Sequence, residues 1–184
     1  MMAFAAPDEY FSRVEMIDAE ELVARGFTTV LLDIDNTLVP RGTNDVPASV
    51  ITWINSLKEQ GLRICLVSNN WHRVVFDHAH ALDLPLVYKA MKPAPFAFGR
   101  AIRKANEIPA RVTGLGGVDP AHSPKGKRRT SVMIGDQLFT DILGARLTGM
   151  HAILVVPQAK KDLWYTLILR RLEHLLLGDL RPTR

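Results

Sequence analysis

Short runs of apolar and β-branched residues alternate with longer segments in which apolar residues recur every three or four positions. Such runs are typical of strands buried on both faces, and the periodic segments are typical of helices with one buried face. The five predicted strands are Thr28–Leu32, Arg63–Val67, Leu86–Tyr88, Ser131–Ile134 and Ala152–Val156. The six predicted helices are about Asp18–Arg25, Pro47–Gln60, Trp71–Ala81, Pro95–Glu107, Leu138–Leu147 and Lys161–Leu177. This alternation predicts an α/β fold with a parallel five-stranded sheet, right-handed crossovers and helices on both faces.

The length of 184 residues predicts one domain over residues 1–184. One segment, residues 114–130 (GLGGVDPAHSPKGKRRT), is rich in Gly and Pro and then basic. It has no periodicity, so we interpret it as a mobile basic insertion. The last predicted helix, residues 161–177, is amphipathic and has a wide apolar face.

Composition narrows the class of protein. Apolar residues make up 47% of the chain and charged residues 23%, which excludes disorder throughout. The single cysteine, Cys65, lies in a predicted strand and is expected to be a buried thiol, and Trp53, Trp71 and Trp164 are expected to be packing residues. No apolar run approaches the length of a membrane span and the N-terminus does not resemble a signal peptide, so we expect a cytoplasmic protein. The net charge of +4 suits an anionic partner without requiring nucleic acid.

Two carboxylates directly follow the first predicted strand, in the run LLDIDNTLVP. Asp33 and Asp35 project to the same side of an extended backbone, so they could share a divalent cation or a reacting phosphate. The carboxyl ends of parallel strands face the ligand crevice. An acidic turn without function is the alternative interpretation of this pair alone.

Further polar residues follow three other predicted strands. They are Ser68, Asn69 and Asn70 after the second strand, Lys92 after the third, and Asp136 and Asp141 after the fourth. Each has an ordinary explanation as a polar loop, a solvated lysine or an acidic turn. Their joint occurrence at strand carboxyl ends favours one site that holds phosphate and metal.

These motifs, DIDNT from Asp33, SNN from Ser68, KP from Lys92 and GDQLFTD from Gly135, resemble those of phosphatases of the haloacid dehalogenase (HAD) superfamily. The residues of these motifs are most similar to those of the capless subclass IIIA, in particular the YqeG-like group related to phosphatidylglycerophosphate phosphatase. The resemblance covers nearly the whole chain apart from the predicted insertion. It implies a three-layer Rossmann-like HAD fold without a cap domain, in which the first and fourth predicted strands are neighbours.

The resemblance also implies roles for the residues. Asp33 would be the nucleophile that forms an aspartyl-phosphate, and Asp35 would be the general acid and base. Mg²⁺ would be held by Asp33, by the backbone carbonyl of Asp35 and by Asp136. Lys92 would neutralise charge on the transferring phosphoryl group. The remaining expected roles are phosphate binding by Ser68 and the backbone amide of Asn69, and support of Lys92 or of a metal-bound water by Asp141.

The spacing of the motifs bears on the substrate. Only 35 residues separate Asp33 from Ser68, and 24 separate Ser68 from Lys92, which leaves no room for a cap. An open site favours a large or membrane-displayed phosphate, such as the headgroup of phosphatidylglycerophosphate, although an oligomer could supply a lid. Peripheral contact with an anionic membrane is favoured by the basic residues of the insertion and by the helix at 161–177, for which packing on the sheet is the alternative. The competing hypotheses are a phosphatase of small soluble nucleotide or sugar phosphates, and a non-catalytic HAD-fold module that binds protein or RNA.

Overall fold

The computed structural model describes residues 6–40, 43, 45–107 and 130–158. The strands are β1 (Glu9–Phe11), β2 (Thr29–Leu32), β3 (Arg63–Val67), β4 (Leu86–Val87), β5 (Ser131–Gly135) and β6 (His151–Val155). The α-helices are α1 (Ala19–Ala24), α2 (Ala48–Glu59), α3 (Val74–Ala81), α4 (Pro95–Glu107) and α5 (Leu143–Leu147). A 3₁₀ turn spans Val14–Met16, and a π-helical turn, Leu138–Ile142, leads into α5.

The described strands form one sheet in the order β1-β6-β5-β2-β3-β4, and every pair is parallel. The predicted α/β class is therefore confirmed. From β2 the chain proceeds outward to β3 and β4, then returns to β5 on the other side of β2. The winding thus reverses between β2 and β5, and ligands bind in α/β sheets at such a switch point.

The predicted count of five strands is wrong, because β1 adds a sixth. Residues Glu9–Phe11 are only half-buried and pair with β6 alone at the edge of the sheet. Three residues with a polar first position carry no apolar run, so a sequence pattern does not distinguish them from a loop. The predicted insertion, apart from Thr130, and the predicted helix at 161–177 lie outside the described residues.

Alternate residues of the central strands pack on opposite faces of the sheet. Val30 and Leu32 belong to the apolar cluster that contains the buried faces of α2 and α3, whereas Leu31 belongs to the cluster formed with α4 and α5. This gives two helical layers around one sheet. Cys65 is a buried free thiol in the second cluster, as expected, and burial raises its pKa to about 12.

Two of the three tryptophans can be compared with expectation. Trp53 is buried in α2 and its indole N–H donates to the Ile17 carbonyl at 2.8 Å, so its packing role is confirmed. The same expectation is wrong for Trp71, which is 65% exposed in the loop between β3 and α3. Trp164 lies outside the described residues. Of the helices that the structure describes, none has the length and hydrophobicity needed to cross a bilayer.

Candidate active site

The turn after β2 positions the two predicted carboxylates differently. The backbone N–H of Asp33 donates to the Ile134 carbonyl at 3.0 Å, which continues the β2–β5 ladder and leaves this side chain buried at the switch point. Asn36 then adopts a positive φ of 64°, which turns the chain back on itself. Asp35 precedes this turn and is partly exposed. One carboxylate is therefore enclosed and the other is in contact with solvent.

Thr37 joins the carboxylates of two strands. Its hydroxyl lies 3.2 Å from Asp33 Oδ2 and 3.4 Å from Asp136 Oδ1, and it has one proton to donate to either. The side chain is 1% exposed. Thr37 was not among the predicted site residues, although it is the hydroxyl residue that ends the DIDNT motif.

Lys92 is a buried cation held by three acceptors. Its ammonium forms an ion pair with Asp33, lies 2.7 Å from Asp141 Oδ1, and donates to the Val67 carbonyl at 2.8 Å. Burial alone would lower the pKa of Lys92, but the carboxylates of Asp141 and Asp33 raise it overall. The side chain is thus a fixed positive charge beside the predicted nucleophile.

The side chain of Asn69 fixes the backbone of Lys92. Asn69 Oδ1 accepts from the Lys92 N–H at 2.7 Å, and Asn69 Nδ2 donates to the Lys92 carbonyl at 3.1 Å. This pair of hydrogen bonds connects the β3 loop to the β4 loop. For the backbone N–H of Asn69, the described residues provide no hydrogen-bond partner.

Asp141 is placed by the π-helical turn after β5. Its Oδ2 accepts from the Gln137 N–H at 3.2 Å, while its Oδ1 faces Lys92. The side chain is fully buried and lies against Gly135, where an added Cβ would be only 2.3 Å from Asp141 Oδ2. Glycine at this position therefore makes room for the carboxylate that supports Lys92.

Three buried carboxylates share this site. Asp33, Asp136 and Asp141 each offer an oxygen, and these oxygens lie within 4.8 Å of one another. Burial raises the pKa of Asp33 to about 7, although Lys92 opposes the rise, and burial with the charge of Asp33 raises the pKa of Asp136 to about 8. One ammonium does not balance three carboxylates, so the cluster could hold a metal ion, and hard oxygen ligands suit a divalent cation such as Mg²⁺.

Asp35 lies against the polar loop after β3. Its Oδ2 is 3.5 Å from the Ser68 hydroxyl and 3.4 Å from Asn70 Nδ2. The Asn70 N–H donates to Ser68 Oγ at 3.0 Å, and Ser68 is fully buried. The structure therefore brings Ser68 near Asp35 and adds Asn70, to which the sequence assigned no role.

Several of these residues line a cleft of about 600 Å³ at the carboxyl edge of the sheet. The cleft is lined by Asp33, Asp35, Val39, Pro40, Thr43, Asn69, Asn70, His72, Val74, His78, Lys92, Gln137 and Thr140. Its polar groups are mostly carboxylates, amides, imidazoles and one ammonium. His72 and His78 were not predicted to lie here, because their position depends on how the start of α3 crosses the cleft.

Comparison with known proteins finds a matching family model and a similar bacterial protein. A family model described as HAD-hydrolase-like matches residues 90–162. The "Probable phosphatase YqeG" of Bacillus subtilis (strain 168) is 35% identical over 178 residues, which cover 97% of this chain and 92% of that protein.

Two solved structures are also similar. The HAD-hydrolase YfnB of Bacillus subtilis, bound to magnesium, has a TM-score of 0.47 at 12% identity and covers 82% of this chain and 98% of its own. A HAD phosphatase from Thermococcus onnurineus has a TM-score of 0.44 at 22% identity and covers 74% of this chain and 60% of its own.

Proposed function

Because the chain belongs to the HAD-like hydrolase family of the YqeG phosphatase, we propose that this phosphatase hydrolyses phosphomonoesters with Mg²⁺ through a phosphoaspartate on Asp33. The observation that carries the proposal is the meeting of Asp33, Lys92 and Asp136 at the switch point, in contact with an open cleft. We treat residues 1–184 as one catalytic domain in which 114–130 is an insertion.

The metal would be held by Asp33, Asp136 and the backbone carbonyl of Asp35. The excess of buried carboxylates over ammonium groups is the feature that a divalent cation would compensate. When bound, Mg²⁺ supplies positive charge that orients a phosphate oxygen and stabilises the charge that develops in transfer. Beside that charge Asp33 would be ionised more readily, whereas burial without it raises the pKa of Asp33.

In the first step, a carboxylate oxygen of Asp33 attacks phosphorus and the bond from phosphorus to the leaving oxygen breaks. Asp35 donates a proton to that oxygen, so the alcohol leaves neutral. In the second step, water attacks the phosphoaspartate, Asp35 accepts its proton, and the bond from phosphorus to Asp33 breaks. Inorganic phosphate leaves and both side chains return to their starting states.

The difference in environment between the two carboxylates supports these roles. Asp33 is enclosed by Lys92 and Thr37, which orient it and shield it from solvent. Asp35 is partly exposed to the cleft and receives only long hydrogen bonds from Ser68 and Asn70, so it is free to exchange a proton. Two carboxylates in unlike surroundings can act in opposite senses.

Phosphate oxygens would be held by Lys92, by the hydroxyl of Ser68 and by the backbone N–H of Asn69. The side chain of Asn69 is hydrogen-bonded to the Lys92 backbone, so its backbone N–H is the donor that we assign to the ligand. Lys92 keeps its charge because two carboxylates surround it, and transfer needs mainly such electrostatic stabilisation.

For the substrate we propose a phosphate carried on a large or membrane-displayed molecule, such as phosphatidylglycerophosphate. The motif spacing leaves no room for a cap domain between β2 and β4, and the cleft lies at an open edge of the sheet. A site without its own lid accepts a phosphate that projects from a surface, whereas small soluble substrates are usually enclosed.

Phosphate release from a soluble aryl phosphate, measured against Mg²⁺ concentration, tests the activity. We expect turnover that requires Mg²⁺ and that Asp33→Asn abolishes, whereas Asp83→Asn leaves it unchanged. Asp83 is exposed, lies before β4 away from the cleft, and has a positive φ of 49° that asparagine tolerates, so it is a matched control. Turnover by Asp33→Asn at the wild-type rate would contradict the mechanism, and a wild-type protein without turnover would favour the non-catalytic module.

The substrate is tested separately. Phosphate release is compared between phosphatidylglycerophosphate in vesicles and soluble nucleotide and sugar phosphates. Faster turnover of the lipid ester is expected. Fast turnover of the soluble esters that is indifferent to vesicles would replace the lipid substrate with a soluble one.

A further inference from the structure

Large apolar side chains are exposed beside the cleft. We define the aromatic patch as Trp71, Phe76, Tyr88, Met91 and Phe96. Trp71 and Met91 are the most exposed of them, at 65% and 66%. An exposed apolar cluster costs free energy in water, so it indicates a surface that another molecule covers.

Direct contacts connect members of the aromatic patch across two loops. The rings of Phe76 and Tyr88 are 4.8 Å apart, and the ammonium of Lys89 lies 5.8 Å from the centre of the Trp71 ring. The Lys89 N–H also donates to the Asn70 carbonyl at 3.3 Å, which fixes the loop after β4 to the loop after β3. These contacts join Phe76 to Tyr88, and through Lys89 they join Trp71 to the loop after β4 that also carries Met91.

The aromatic patch lies on the same edge of the sheet as the cleft. Trp71 directly follows Asn70, and Met91 directly precedes Lys92, so the patch and the cleft share two loops. Phe76 and Phe96 lie in the first turns of α3 and α4, which begin at that edge. A flat surface that covered the patch would therefore face the mouth of the cleft.

The chemistry of the aromatic patch matches a lipid interface. Tryptophan and tyrosine prefer the headgroup level of a bilayer, where one end of the ring is apolar and the other is hydrated. Exposed Arg73 and Lys89 flank the patch, with Asp77 the nearby acidic side chain on α3, and the chain carries a net charge of +4. Apolar side chains combined with cations are what binding to anionic lipid requires.

The geometry points to the aromatic patch as a docking surface for an anionic lipid bilayer. Docking brings a phosphate ester carried by a lipid to the cleft without a lid or a soluble carrier. The delivery of a lipid substrate to the cleft rests on the proposed phosphatase function, but vesicle binding itself requires no turnover. The two claims therefore have separate readouts.

Cosedimentation of the full chain with vesicles tests the surface. The vesicles contain either phosphatidylglycerol mixed with phosphatidylcholine or phosphatidylcholine alone. The test variant combines Trp71→Ser with Met91→Asn, because asparagine tolerates the positive φ of 64° at Met91. Leu147→Ser is the control, since Leu147 is 45% exposed but ends α5, at the opposite edge of the sheet.

We expect wild-type and Leu147→Ser proteins to bind the anionic vesicles, and the double variant to bind at least about tenfold more weakly, because two large side chains no longer enter the bilayer. Turnover of a soluble aryl phosphate should stay within about twofold in all three proteins, which shows that each is folded. If the double variant binds vesicles as tightly as the wild type, or if the wild type does not bind them, the proposed docking surface is refuted. If the wild type does not hydrolyse the soluble aryl phosphate, the phosphatase function is refuted, but the vesicle-binding result remains valid.

Lys89→Asn is an independent variant should the double variant not fold, and asparagine suits the positive φ of 46° there. We expect this variant to show a smaller preference for anionic over neutral vesicles. An unchanged preference would show that the charge of Lys89 does not contribute to binding. If the double variant instead dissociates an oligomer in sedimentation while vesicle binding persists, the patch is a contact between protein chains and the lipid surface is refuted.

Discussion

Substitution of Gly135 by alanine tests how the site positions its lysine. Gly135 ends β5 and its φ lies outside the left-handed region, so alanine meets no backbone strain. The new Cβ would lie 2.3 Å from Asp141 Oδ2, 2.5 Å from its Cγ and 2.7 Å from its Cβ. The clash involves the base of the side chain as well as its tip, and a change of rotamer alone does not relieve it.

The size of the effect follows from these distances. Ordinary Cβ contacts begin at 3.4 Å, so Asp141 or the strand must move by about 1 Å. Asp141 Oδ1 holds Lys92 at 2.7 Å, and Lys92 in turn contacts Asp33. A displacement of about 1 Å at a reacting geometry costs about 10²-fold in rate, and overpacking costs about 1–3 kcal/mol of stability.

Steady-state kinetics on a soluble aryl phosphate measures the effect, with a thermal melt to confirm folding. We expect Gly135→Ala to lose about 10²-fold in kcat/KM. Gly99→Ala is the control, because its Cβ would meet nothing within 4 Å, and alanine in a helix should raise stability by up to about 1 kcal/mol. A folded Gly135→Ala enzyme with wild-type kcat/KM would show that the position of Asp141 does not govern the site.

Three further predictions follow from the structure. Asp35→Asn should slow hydrolysis of alkyl phosphates by about 10² to 10⁴ but affect aryl phosphates much less, since an aryl leaving group needs no proton; equal losses would remove Asp35 as the acid. Burial raises the pKa of Asp33 to about 7 and of Asp136 to about 8, both above 3.8, so the metal-free protein should lose stability as the pH rises from about 4 to about 8. Mg²⁺ should therefore raise the melting temperature more at pH 8 than at pH 5, and equal shifts would argue against carboxylate ligation. Burial raises the pKa of the Cys65 thiol to about 12, so iodoacetamide should label the native protein at pH 8 far more slowly than the unfolded chain, as intact-mass measurement can show.

Much of the fold could be predicted because the central strands are buried on both faces. Runs such as Arg63–Val67 contain no polar residue after the first, and that run coincides with β3. Gly61 and Gly149 have positive φ values of 76° and 69° and lie two residues after the last residues of α2 and α5, a position where glycine commonly ends a helix. By contrast, β1 exists only because β6 provides its hydrogen-bonding partners, and this tertiary cause leaves no pattern in its sequence.

For the candidate site, too, some features could be predicted from the sequence and others could not. The position of each polar residue after a strand predicted which edge of the sheet it occupies, as for Asp33 and Asp136. The contacts among these residues depend on details that spacing does not encode. The π-helical turn aims Asp141 at Lys92, and the Asn69 side chain binds the Lys92 backbone instead of a ligand. Trp71 was expected to be a packing residue, but it lies exposed in the loop between β3 and α3.

The proposed mechanism requires Asp33 to carry the phosphoryl group between two chemical steps. Acid quenching of the enzyme during turnover of an aryl phosphate, followed by mass spectrometry of its peptides, tests this directly. The Asp35→Asn variant is the best material, because it forms the phosphoaspartate with an aryl ester but lacks the base that hydrolyses it. Phosphate is expected on the peptide that contains Asp33, and none in the Asp33→Asn variant. Phosphate on a different residue, or turnover with Asp33 never phosphorylated, would contradict it.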